Sequence, residues 1–236
     1  MKIQLIATGS TRQERLAERW GVAFLVGDDL LFDTFGQASV LLENMRQMRI
    51  DLAAIRSIVI SHDDWDHVTG LWQLLPGRPD ITVYICPHFH DEIKARIRSF
   101  GARVVEASGM MEIQKNVWTT GEMPGHTPGR MIYEQSLVVR SPKGLTVITG
   151  CAHPGILAIT RQVKDVFKET PTLAIGGFHL KDNSDDENRA VAENLMAFGV
   201  RQVAPIHCTG ANAQRLLRAA FADGYVELAE KSVLEA

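Results

Sequence analysis

Apolar residues in this chain fall into short runs bounded by Gly, Asp, Asn and Pro, which predicts many brief strands rather than a few long helices. Strands are predicted at 2–7, 22–26, 30–33, 55–60, 81–86 and 103–106, then at 113–119, 130–140, 145–149, 172–175 and 200–206. Gly27-Asp28-Asp29 separates two of them with the composition of a hairpin turn. Helical spacing occupies 39–47, 71–75, 91–100, 155–167, 187–198 and 211–222. The first half is strand-rich with inserted helices, and the second alternates strand and helix. Helices that follow strands in this way cover the outer faces of a sheet structure, so the pattern predicts an α/β (α+β) fold. No linker, low-complexity tract or internal repeat interrupts residues 1–236, which read as one domain.

Composition adds limits to that picture. Hydrophobic residues make up 45% of the 236 and charged residues 22%, enough for a sizeable core. A net charge of −3 and a pI near 6.2 offer no global attraction to nucleic acid or an anionic membrane surface, so neither is an expected partner. Cys86, Cys151 and Cys208 are too few for a disulfide framework, and an odd number suits a reducing compartment. Residues 1–7 read as a first strand followed by a polar loop, not as a signal peptide, and no apolar run approaches the roughly 20 residues of a membrane helix. The expectation is a cytoplasmic protein.

The chemistry gathers where strands end. After the apolar run at 55–60 comes Ser61-His62-Asp63-Asp64-Trp65-Asp66-His67, which places two imidazoles and three carboxylates in six positions with no Lys or Arg among them. Such a loop carries uncompensated negative charge unless a cation sits there, and His and Asp bind divalent metals through nitrogen and oxygen. A solvated acidic turn is the competing account. Alternate side chains of an extended segment share a face, so His62, Asp64 and Asp66 can converge, with His67 joining them as the chain turns. Further strands lead into Thr149-Gly150-Cys151-Ala152-His153-Pro154, into Gly176-Gly177-Phe178-His179, and into His207-Cys208-Thr209-Gly210, where Thr209 is a natural N-cap for the next helix. Taken singly, each of these histidines is more often structural than a ligand. Repeated at four strand ends, they point to one common site. His126, in a Pro/Gly-rich loop, is a fifth candidate; His88 and His90 read as surface residues leading into a helix.

These motifs resemble the metallo-β-lactamase-fold metallohydrolase superfamily, whose His-x-His-x-Asp-His signature at a strand end is followed by later His and Asp or Cys positions. Leu30-Leu31-Phe32-Asp33-Thr34 is similar to the family's early strand and turn, and the likeness runs over essentially the whole chain. Residues 149–156, 176–180 and 207–210 are similar to a subgroup that includes dihydropterin–ribofuranosylaminobenzene phosphate synthase-like proteins. The resemblance implies a four-layer αββα sandwich with the site at one edge. It implies one metal on His62, Asp64 and a later His, and a second on Asp66, His67 and His207. The later His is His153 or, by likeness to the superfamily's third-ligand motif, His126. Cys151 falls near the position where relatives carry a bridging Asp or a Cys ligand, and His179 lines the site. Asp64 stands where most relatives carry His; a carboxylate there moves metal preference from zinc towards iron or manganese.

The expected function is a dinuclear hydrolase with two divalent ions, Zn or Fe/Mn, that uses metal-bound hydroxide on a small-molecule ester, lactone, amide or phosphoester. Asp66 would orient the nucleophile and accept its proton, and His179 or His153 would bond the developing oxyanion. The alternatives are a di-iron redox protein, a pterin-precursor synthase or transferase, and a metal-binding protein without turnover. A homodimer is among the expectations for oligomeric state, which the sequence does not specify.

Overall fold

The alternating apolar runs pair into two packed sheets in the computed structural model, which describes residues 1–127 and 129–235. Pro128 and Ala236 lie outside the described residues. In chain order the elements are β1 (Lys2–Gly9), α1 (Arg12–Leu16), β2 (Gly21–Val26), β3 (Leu30–Phe32), α2 (Ala38–Gln47), β4 (Ser57–Val59), α3 (Trp65–Val68), α4 (Leu71–Leu74), β5 (Thr82–Ile85), α5 (Asp91–Ser99), β6 (Arg103–Glu106), β7 (Met111–Gln114) and β8 (Val117–Thr119). They continue with β9 (Met123–Thr127), β10 (Arg130–Glu134), β11 (Leu137–Ser141), β12 (Gly144–Thr149), α6 (Ile156–Phe167), β13 (Leu173–Gly177), α7 (Asp185–Phe198), β14 (Gln202–Ile206), α8 (Ala211–Phe221) and β15 (Val233–Glu235).

One sheet has the order β15-β1-β2-β3-β4-β5-β6 and the other β14-β13-β12-β11-β8-β7; β9 and β10 form a separate two-stranded ribbon. Side chains alternate between layers, as the strand period requires. Leu137 and Val139 of β11 and Ile175 of β13 face the space between the sheets, where they meet Phe24, Phe32 and Val59. Val138 and Ala174, one position away, face outward onto Ile156, Ile159 and Val163 of α6 and Leu195 of α7. The first sheet does the same: Leu25, Leu31, Ile58 and Val83 pack under Leu41 and Met45 of α2 and Ile97 of α5. Helix, sheet, sheet, helix is therefore the layer order, the αββα arrangement expected.

Several boundaries differ from the sequence reading. Residues 113–119 are not one strand but the ends of β7 and β8, which pair antiparallel around Asn116, a non-glycine residue in the left-handed region (φ 68°). The run at 130–140 is divided between the ribbon and the second sheet. The polar stretch after β1 closes into α1, held by a capping box between Thr11 and Glu14 although none of its residues is buried. Thr209 does not cap α8. Gly210 holds that position, and the Thr209 hydroxyl donates to the Ile206 carbonyl while accepting the Phe178 N–H. The strands β3-β4-β5-β6 are parallel, as are β12-β13-β14, so the loops after them leave by a common edge in each sheet. Among the described residues no helix is long and apolar enough to cross a membrane.

Phe24 is fully buried between the sheets. Phe24→Ala is expected to cost about 3–5 kcal/mol, whereas Val166→Ala, at a half-exposed position on α6, should stay within about 0.5 kcal/mol. Urea unfolding of both variants checks that the inter-sheet layer carries the fold.

Candidate metal centre

The loops after β3, β4, β12, β13 and β14 meet at one edge. Asp33 follows β3, the His62–His67 loop follows β4, Cys151 and His153 follow β12, His179 follows β13, and His207 and Cys208 form a short 3₁₀ turn after β14. Gly150 shows how closely the two sheets approach there: a Cβ added to it would lie 2.2 Å from the Ser61 Oγ.

Four imidazoles are held by one nitrogen each. His67 Nδ1 lies 2.7 Å from Asp33 Oδ2, and a carboxylate only accepts, so the imidazole N–H donates. His153 Nδ1 donates to Glu134 Oε2 at 2.8 Å, and His207 Nδ1 donates to the Gly9 carbonyl at 2.8 Å. His62 Nδ1 lies 2.8 Å from Ser61 Oγ, whose own hydrogen goes to Asp33 Oδ2, so His62 is the donor there too. With every Nδ1 bonded, each Nε2 is turned into the centre, where it can carry a lone pair or, on His67 beside Asp66, a proton that a metal would displace. This is the arrangement that outer partners impose on metal-ligating histidines. The Nε2 atoms of His62 and His207 are buried and have no hydrogen-bond partner among the described residues.

Those lone pairs converge in two groups. His62, Cys151 and His153 place their ligand atoms within 4.8 Å of one another, and so do His67, Cys151 and His207. Asp66 joins the second group, with Oδ2 at 3.2 Å from His67 Nε2 and 3.4 Å from His207 Nε2. Cys151 belongs to both groups, a more central place than the sequence gives it. Asp64 is drawn aside: its Oδ1 pairs with Arg130 Nη2 at 3.0 Å, and its Oδ2 is 3.6 Å from His62 Nε2. It borders the first group without entering it, because the Arg130 guanidinium competes for its charge. The structure brings His153 into the centre and not His126. Gly125 of β9 packs so tightly on the His153 loop that an added Cβ would lie 2.5 Å from the His153 backbone, while His126 is exposed on the wall of an adjoining cavity. His88 and His90 are exposed and bonded to Glu122 and Asp63, as a surface reading expects.

Electrostatics favour positive charge at the centre. Burial opposes ionisation of Asp66, yet His67 and His207 outweigh it and hold the carboxyl well below the usual range. Burial likewise opposes charge on His67, but Asp66 and Asp33 raise its pKa well above the ordinary imidazole value. Burial is opposed at Asp64 as well, where His62 and Arg130 keep the carboxyl ionised. The thiol of Cys151 is pushed up by burial. Carboxylates that attract a proton onto a buried imidazole attract a metal cation for the same reason, and the lone-pair set fits a borderline divalent ion.

The backbone is strained where it delivers these groups. Asp33, Ala152, His179 and His207 all have φ between 51° and 60°, a region that non-glycine residues rarely occupy and that clusters at functional sites. Two anchors escaped the sequence reading. Glu134, buried in β10, accepts the N–H groups of Cys151, Ala152 and His153 in addition to the His153 ring. Asp33 accepts from the Ser61 amide, the Ser61 hydroxyl and His67. The only sequence signal for Glu134 was an acidic residue at the end of an apolar strand; Asp33 lay inside the Leu30–Thr34 motif without a role being read for it.

With this geometry in view, the comparisons with known proteins are consistent with one another. The family described as the β-lactamase superfamily domain matches residues 29–125. A relative from Methanocaldococcus jannaschii, 7,8-dihydropterin-6-methyl-4-(β-D-ribofuranosyl)-aminobenzene-5′-phosphate synthase, is 24% identical over 84% of this chain and 81% of its own length. The crystal structure of Tm1679, a metal-dependent hydrolase of the β-lactamase superfamily, is similar with a TM-score of 0.80 and 28% identity, covering 100% of this chain and 99% of the other. YhfI from Bacillus subtilis, a metallo-β-lactamase fold protein, gives a TM-score of 0.68 at 15% identity over 99% of each chain.

Glu134 supplies a pH test. Burial works against its charge, but His62, the His153 ring and the loop amides hold its pKa well below the ordinary glutamate value. Its contribution to stability is therefore present above the unfolded pKa of about 4.3 and lost as pH falls through the folded value, with a slope of up to about 1.4 kcal/mol per pH unit. Glu134→Gln should lose about 1–3 kcal/mol near neutrality, because its NH₂ faces donors. Below pH 4 its stability should fall less steeply than that of the parent. Urea midpoints between pH 3 and 7 measure both effects.

Proposed function

This chain is a metallo-β-lactamase-fold protein, and on the strength of its paired imidazole groups we propose that it is a dinuclear metal-dependent hydrolase of a small-molecule substrate. The observation that carries the reading is the four Nε2 atoms turned inward around Cys151 and Asp66 by bonded Nδ1 atoms. His62, Cys151 and His153, with Asp64 alongside, would hold one divalent ion; His67, His207, Asp66 and Cys151 would hold the other. When bound, such ions lower the pKa of coordinated water and polarise an acyl or phosphoryl oxygen.

The chain's own groups supply the rest. The Asp66 carboxylate, ionised at all ordinary pH, orients the attacking water and accepts its proton. His179, whose imidazole is raised in pKa by hydrogen bonding to Cys208, offers an N–H to the developing oxyanion. Beside the centre lies a cavity of about 310 Å³, lined by His126, His153, His179, Asn183, Phe178 and Leu157, a size suited to a small organic substrate. The Cys151 thiol, shared by both groups, favours zinc; the carboxylates favour iron or manganese. Three unpaired cysteines suit the reducing cytoplasm.

The likeness to the Methanocaldococcus jannaschii enzyme supports a second reading, a synthase or transferase acting on a pterin precursor. Turnover assays separate the two. Protein purified without added metal is expected to carry about two ions per chain by elemental analysis. Chelation should abolish hydrolysis of a panel of ester, lactone and phosphodiester substrates, and Asp66→Asn should lower kcat/KM by about 10²–10⁴-fold. Full turnover by the metal-free protein would overturn the hydrolase reading, and product formation only with a pterin co-substrate would favour the synthase.

A further inference from the structure

A third set of donors includes one thiol, that of Cys208, which the centre as assigned above does not use. Cys151, His179 and Cys208 present two thiols and an imidazole whose ligand atoms lie within 4.8 Å of one another. They come from the loops after β12, β13 and β14, which the parallel pairing of those strands sets side by side. The fold keeps this space open. Gly177 stands under it, and a Cβ there would lie 2.7 Å from Cys208 Sγ and 2.3 Å from the Gly150 carbonyl. His179 adopts φ 51°, and its Nδ1 is buried with no hydrogen-bond partner among the described residues. Cys208 is buried, with its thiol 3.6 Å from the Cys151 carbonyl and facing the His179 ring and the Cys151 thiol.

We propose that Cys151, His179 and Cys208 form a separate binding position for a thiophilic cation such as Zn²⁺, Cd²⁺ or Cu⁺. Two sulfurs and one imidazole nitrogen make a soft donor set, which binds such ions in preference to Mn²⁺ or Mg²⁺. Neither His67 nor His207 takes part, but the position shares Cys151 with both ions of the proposed centre and His179 with its proposed oxyanion contact. Its link to the centre is Cys151, which belongs to all three groups. A soft ion bound here draws that thiolate away from the paired site, so the balance of soft and hard metals would set how the centre is loaded.

The test is an anaerobic Cd²⁺ titration of the full-length chain stripped of metal, read by thiolate-to-metal absorbance. The parent protein should reach about twice the absorbance of Cys208→Ser, which has one thiolate at this position instead of two. Cys86→Ser should match the parent, because the Cys86 thiol is turned to the Ser61 carbonyl. His179→Ala, at a half-buried position that keeps both thiols, should reach the parent's absorbance but bind Cd²⁺ roughly tenfold or more weakly. Mn²⁺ binding should be unaffected by Cys208→Ser. Equal absorbance in the parent and Cys208→Ser, or unchanged Cd²⁺ affinity in His179→Ala, overturns the proposal. Loss of all Mn²⁺ binding in the parent with Cd²⁺ binding intact would instead count against the dinuclear centre.

Discussion

Two carboxylates buried out of reach of water, Asp33 and Glu134, are the constraint on which the centre depends. A buried charge is tolerable only if its lone pairs are filled. Asp33 takes the Ser61 amide, the Ser61 hydroxyl and the His67 ring; Glu134 takes three successive amides and the His153 ring. Each therefore fixes a loop and an imidazole in one act. Without Glu134 the turn from Cys151 to His153 would leave three N–H groups unpaired, and His153 would have no reason to present Nε2 inward. Local folding and the orientation of the metal donors are, at this edge, the same set of hydrogen bonds.

This explains which parts of the molecule were legible in the sequence. Strands that bury one face on the other sheet and one on helices read as nearly continuous apolar runs, so β2, β4, β5, β12 and β14 were visible with small errors at their ends. The β7–β8 hairpin was read as one strand because its turn, Lys115-Asn116, has no glycine. The ribbon strand β9 was taken for a loop because Pro124 and Gly125 interrupt its pattern, and α1 was missed because it buries nothing.

The site divides in the same way. Histidines at strand ends are rare enough to notice, and His62, His67, His153 and His207 do meet. Glu134 was hidden because a charged residue in a strand ordinarily marks the solvent face. Asp64 was placed among the ligands because nothing nearby in sequence suggests a competitor; Arg130 reaches it only once the ribbon has folded over the loop. Cys151 was underrated for a related reason, since a cysteine after a buried strand usually reads as packing. Its place in every donor group comes from four strand ends meeting, which no local window contains.

The ribbon of β9 and β10 belongs to neither sheet, yet both ends of β10 touch the centre: Arg130 holds Asp64 and Asp63, and Glu134 holds the His153 turn. Along a strand, positions separated by an even number share a face. Arg130, the buried Ile132 and Glu134 therefore form a single row, and the spacing between the two charged ends is a gauge that can change only in steps of two residues. A single insertion in β10 would turn one end of the row to the opposite face. Variation in the length of this ribbon should accordingly be even-numbered wherever the centre is kept intact.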